Sequence, residues 1–178
     1  MNTDQHDTGG GWLFAYFREV HGGTVLEESL HYALSGDGLR FTPLRGNRPV
    51  WHAEVNGAPV SLRDPFIARG LDARYHLLAT HATPAQRQPD GRYRRLDSGL
   101  PPHSAPTDLL HAAATDLVTW SEVSLIPVLS GVPAARNLWA PEFISDLEAG
   151  DHLVIWSTST GRRCGGRKPS GAREHPTS

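Results

Sequence analysis

The chain has 178 residues, 38% of them apolar and 20% charged, with 17 Lys and Arg against 19 Asp and Glu. A net charge of −2 excludes a general nucleic-acid binder, which needs a basic face for phosphate contacts. One cysteine, Cys164, excludes an internal disulfide and a thiolate zinc site.

The N-terminus, "MNTDQHDTGGGWLFAYF", is acidic where a secretion signal is basic, and no apolar run reaches the ~18 residues of a membrane span. The sequence as written reads as cytoplasmic, with no membrane partner; a leader on a longer parent is a separate matter. The predicted elements are short apolar runs cut by Gly, Pro and Asp, the pattern of strands. Trp12–Phe17 is the first. Ser29–Ser35 follows, then a hairpin turn at Gly36–Gly38, then Leu39–Leu44. Ser61–Arg69, Tyr75–His81, Leu109–Thr115 and Thr119–Val128 form the middle group, and Ala140–Asp146 and His152–Ser157 the last. "DLLHAAATDLV" also fits a short helix.

Two segments break the series. Ala82–Thr107 is rich in Pro, Arg, Gly and Asp, and a connection of that length is usually functional or disordered. After Ser157 the chain is basic and Gly/Ser-rich, which predicts a disordered tail over 158–178. No aromatic residues interleave its charges, so nucleic-acid binding is not expected of it.

The strands repeat. Pro65–Ile67 matches Glu142–Ile144 at an offset of 77, "YHLLAT" matches "DHLVIWS" at 76, and "LHYALSGDGLRF" resembles "LHAAATDLVTW" at 80. Four strands per repeat is the signature of a β-propeller blade. The order predicts one full blade at 61–128, the last three strands of the blade before it, and the first two of the blade after it. Asp64 and Glu142 are then expected at equivalent places, at the heads of inner strands in adjacent blades. Two carboxylates facing one cavity suit acid/base work on a glycosidic bond. The competing reading makes Asp64 a turn residue before Pro65 and Glu142 a surface acid.

The blocks "GWLFAYF", "LHYALSGDGLRFTPL", "RDPFIARG", "YHLLAT", "TDLVTWSEVSLIPV" and "NLWAPEFISDLEAGDHLVIWS" resemble glycoside hydrolase family 43 over about residues 10–157. The resemblance implies an all-β, five-bladed propeller, here incomplete at about two blades' worth of strands. It implies inverting hydrolysis of α-L-arabinofuranosyl or β-D-xylosyl linkages in plant-type oligo- or polysaccharide, with no cofactor. By resemblance Glu142 of "WAPE" is the general acid, and Asp64 of "RDP" positions it and modulates its pKa. An inverting acid and base stand about 6.5–9.5 Å apart. The family's base, an Asp at the head of the first blade's inner strand, has no counterpart here; Asp4 and Asp7 lie too close to Trp12. The base is therefore unassigned. Five blades need nearly twice this length, so the reading is a truncated product, weakly folded and impaired in activity. The alternative is a non-catalytic carbohydrate-binding or vestigial propeller fragment.

Among the remaining residues, Trp139 suits either stacking on a sugar or packing between blades, and Arg63 either substrate contact or an ion pair with an acid. Trp12, Phe41, Trp120 and Trp156 read as blade packing. His31 and His111 recur at one repeat position, which favours a structural role. His76, His81 and His152 lack ligand spacing, so no metal site is expected. Ser121 and Ser157 have no nucleophile-elbow context.

Overall fold

The computed structural model describes residues 10–18, 28–82, 85–87, 93–95 and 106–160. Every regular element of more than one turn in it is a strand. The repeat is borne out as three antiparallel units in chain order. The first is β1 (Trp12–Tyr16), β2 (His31–Ser35) and β3 (Thr42–Pro43). A turn over Leu44–Asn47 and a small hairpin of β4 (Glu54–Val55) and β5 (Ala58–Pro59) lead to the second unit. That unit is a four-stranded meander of β6 (Ser61–Arg69), β7 (Tyr75–Ala82), β10 (Leu109–Ala114) and β11 (Ser124–Ile126). Between β7 and β10 the hairpin β8 (Ala85–Arg87) and β9 (Tyr93–Arg95) intervenes. The third unit is the hairpin β12 (Trp139–Asp146) and β13 (Asp151–Ser157). "DLLHAAATDLV" is strand β10 followed by a bend.

Several boundaries differ from expectation. The strand expected at Leu39–Leu44 shrinks to two residues, and that at Thr119–Val128 to Ser124–Ile126. The stretch before Ser124 leaves the ladder because Asp116 accepts from the N–H groups of Val118 and Thr119, a local turn that competes with strand pairing. The β4–β5 hairpin was not anticipated, although Asn56–Gly57 is a hairpin signal; both are left-handed, at φ 53° and 75°. Of the tail predicted over 158–178, residues 158–160 pair with the segment before β12, where the Arg136 N–H donates to the Ser159 carbonyl at 2.9 Å and Thr160 bridges Ala135; 161–178 lies outside the described residues.

The inner strands β7 and β10 of the meander are buried on both faces, which explains their nearly continuous apolar runs, whereas the outer strand β11 is exposed. On one face Leu62, Leu77, Ala79, Leu110, Ala112 and Ala114 pack with Leu30 and Tyr32 of the first unit, and with Trp120. Each fully buried leucine contributes about 1.5–3 kcal/mol. The other face carries His76, Leu78 and His111, and meets Phe143 of β12. Phe143 packs edge-on to Phe66 at 5.4 Å between ring centroids and is buried. Trp120 is a packing residue as expected. Trp12 and Phe41 are not core: both are exposed, Trp12 at 62% with its indole lying against Gly38, because β1 keeps only its far end against the meander.

Candidate active site

The two acid-bearing strands share one local device. On β6 the pairing with β7 runs Arg63 to Thr80 and then Phe66 to Leu78, so β6 carries one extra residue. On β12 the pairing with β13 runs Trp139 to Ser157 and then Glu142 to Ile155, again one extra. Each is a β-bulge. The residue in each that precedes proline is left-handed, Asp64 at φ 47° and Ala140 at φ 48°. A non-glycine residue there is strained, and such strain gathers at functional sites.

Superposing the bulges corrects the expected repeat. Asp64 corresponds to Ala140, and Phe66 to Glu142, an offset of 76 and not 77. The two acids therefore do not occupy equivalent positions: Asp64 is the bulge residue of its strand, and Glu142 lies two residues beyond the bulge of its own. The match of Pro65-Phe66-Ile67 to Glu142-Phe143-Ile144 sets a proline against an acid and stands one residue out of the structural register.

The bulges are joined nonetheless. The Thr80 hydroxyl donates to Asp64 Oδ2 at 2.8 Å and accepts from the Ala140 N–H at 2.9 Å. Thr80 is 1% exposed. Its one hydroxyl satisfies a carboxylate on β6 and the main chain of β12, two residues before Glu142. Nothing in the sequence marks Thr80, since a threonine in a strand reads as ordinary β-propensity. Asp64 is half-buried and Glu142 exposed. Trp139 is 43% exposed on β12, so packing between units does not account for its ring.

Arg63 is held by an acid that the sequence reading missed. Its Nη2 donates to Glu28 Oε1 at 2.6 Å and its Nε to Oε2 at 3.2 Å, a bidentate pair. The Ser61 hydroxyl also donates to Glu28 Oε2, and Glu28 is buried. Leu62 N–H donates to the Glu28 carbonyl at 2.8 Å. Glu28 thus clamps the strand that presents Asp64, from a segment whose charges gave no sign of it. Asp4 and Asp7 lie outside the described residues.

The histidines form a separate group on the meander's second face. His76 Nε2 meets Asp72 Oδ1 at 2.9 Å and His76 Nδ1 meets His111 Nε2 at 3.0 Å. With His76 donating to Asp72, its Nδ1 accepts from His111, which leaves His111 Nδ1 to accept from the Ser124 hydroxyl at 3.2 Å. Burial is the main cause that holds His111 below the usual imidazole range, and the Arg74 charge adds to it. Gly70 is required beside this relay, because a Cβ there would lie 2.6 Å from the His76 ring. Among the described residues no group of three or more His, Cys, Asp or Glu is placed to hold a metal ion. His81 pairs instead with Asp108 at 2.7 Å, closing the base of the long 82–107 connection. Among the described residues no helix is long and apolar enough to cross a membrane.

Residues 7–169 match a family related to glycoside hydrolase family 43 and described as a probable glycosyl hydrolase domain. No curated protein and no solved structure matches the chain. A match over nearly the whole sequence, on a fold of repeated antiparallel units, means that the chain belongs to this family-43-related group of probable glycosyl hydrolase domains.

Proposed function

We propose that this domain acts on α-L-arabinofuranosyl or β-D-xylosyl linkages of plant-type oligo- or polysaccharide by inverting hydrolysis. Glu142 donates its proton to the leaving glycosidic oxygen as the bond to the anomeric carbon breaks, and water adds from the opposite face. Asp64 orients that acid and biases its protonation. Trp139 offers an exposed ring to the sugar. Arg63 is expected at the substrate-binding edge, where its pair with Glu28 fixes the strand. No residue is assigned to take the proton of the attacking water.

The observation that supports this reading is the Thr80 hydroxyl bridging Asp64 to the bulge that presents Glu142. A turn acid and an unrelated surface acid need no such link across 60 residues. The test is hydrolysis of aryl arabinofuranosides and aryl xylosides by the purified chain. Turnover that Glu142→Gln abolishes, with sugar affinity kept, supports the assignment. Turnover undiminished in Glu142→Gln overturns it. Sugar affinity with no turnover in the unaltered chain selects the non-catalytic carbohydrate-binding reading.

A further inference from the structure

A second cleft opens on the opposite side of the meander from the bulges. It encloses about 710 Å³ and is lined by Trp51, His52, Glu54, Asn56, Trp120 and Glu122, with smaller neighbours. A pocket of roughly 300–1,000 Å³ with a few polar groups is the usual size of a small-molecule site. Three chain segments build it: the strand-like run ending at Ala53, the β4–β5 hairpin, and the bend after β10.

Its position separates it from the acids. Trp120 packs with Leu77 and Ala79, whereas Thr80 and Leu78 face the other way. It also follows the end of β10 at which Ala114 pairs with Tyr75, five residues along β7 from Thr80. At ~3.4 Å per residue, that is about 17 Å along the strand.

The lining has a definite chemistry. The Trp51 and Trp120 rings stand 6.2 Å apart, tilted by 46°. Trp51 is half-buried and Trp120 buried. The carboxylates of Glu54 and Glu122 have no hydrogen-bond or ion-pair partner among the described residues, and no Lys or Arg lines the cleft. His52 is anchored through its Nδ1, 2.9 Å from the Ser29 hydroxyl. The Trp120 N–H is buried beside the Tyr32 hydroxyl without reaching hydrogen-bond geometry with it.

We propose that this cleft is a second saccharide-binding site, one that holds a neutral oligosaccharide away from the Asp64–Glu142 pair. Carboxylates accept from sugar hydroxyls, the Asn56 amide both donates and accepts, and an indole takes the apolar face of a pyranose. A cationic ligand would use the carboxylates and the rings and leave the amide donors opposed to its charge, so the mixed set favours a sugar. The choice of ligand class rests on the proposed carbohydrate activity; the existence of the site does not.

The test is titration of the full chain carrying Glu142→Gln with xylo- and arabino-oligosaccharides, read by tryptophan fluorescence and by saturation-transfer NMR. Glu54→Gln with Glu122→Gln, both exposed side chains, is the added pair. The expected result is two saturable binding events, one of which weakens at least tenfold with the pair while the other is unchanged by it. Trp51→Phe, which keeps a ring, is expected to retain binding, and thermal unfolding of each variant verifies that it folds. Binding unaffected by the pair, no binding of either sugar, or tighter binding of choline or a lysine-rich peptide overturns the proposal. Loss of turnover in Glu142→Gln reads the other site, so the two readings fail separately.

Discussion

The Thr80 hydroxyl donates to the Asp64 carboxylate at 2.8 Å and takes up the Ala140 N–H at 2.9 Å. One buried oxygen therefore sets the geometry of both bulges. Replacing it with a shape-matched methyl leaves a carboxylate and an amide without their partner. Thr80→Val is expected to cost about 1–3 kcal/mol, and Thr80→Ser much less. Urea unfolding of the three proteins measures this. Equal stability of the valine and serine variants would show that the hydroxyl does nothing beyond packing.

The Glu28–Arg63 pair is mostly withdrawn from solvent, with side-chain exposures of 7% and 22%. Removing one partner leaves a charge in a site built for two. Glu28→Ala is expected to destabilise by about 3 kcal/mol, below the top of the range for fully buried pairs because Arg63 keeps some solvent. The double change Glu28→Leu with Arg63→Met is expected to cost less than the sum of the single changes. A double-mutant cycle by chemical denaturation gives the coupling directly.

Phe143 is the main apolar tie between the β12–β13 hairpin and the meander, through Phe66 and His76. Phe143→Ala is expected to cost about 3–5 kcal/mol. The loss is expected to fall on the hairpin first: hydrogen exchange should quicken over 139–157 while β7 and β10 stay protected. Uniform deprotection of all strands would contradict this.

Acid is expected to weaken the fold in two windows. His111 has its folded pKa below the unfolded value of about 6.5, mainly through burial. The unfolded chain therefore binds the proton more readily, and stability that is full above about pH 6.5 is lost as pH falls through the folded value. Asp37 and Asp116 are held below the usual carboxylate range by backbone N–H donors, so their contribution is present above about pH 4 and is lost in stronger acid. Thermal unfolding from pH 7.5 to 5 should show the first decline, and His111→Asn should flatten it. A melting temperature independent of pH over that range would remove His111 from the account.

Much of the fold is legible in the residues themselves. Short apolar runs cut by Gly, Pro and Asp, the turn residues at Gly36–Gly38 and the spaced "RDP" and "WAPE" blocks are enough to read four strands per repeat and to place Asp64 and Glu142 on strands. The β4–β5 hairpin is legible too, in the Asn56–Gly57 turn signal. The shortened strands are not, because Asp37 before Leu39 and Asp116 before Thr119 each choose between a local turn and a ladder according to what packs beside them.

Sequence by itself determined the strands, their order and the family, because backbone preference and apolar periodicity act within a few residues. Only the tertiary structure decided what each acid touches. Whether Asp64 meets Thr80, whether Arg63 meets Glu28, and whether Glu142 lies on or beyond a bulge depend on register between strands 16 to 60 residues apart. A slip of one residue sends a side chain to the opposite face of its sheet, and nothing local to the acid records that choice.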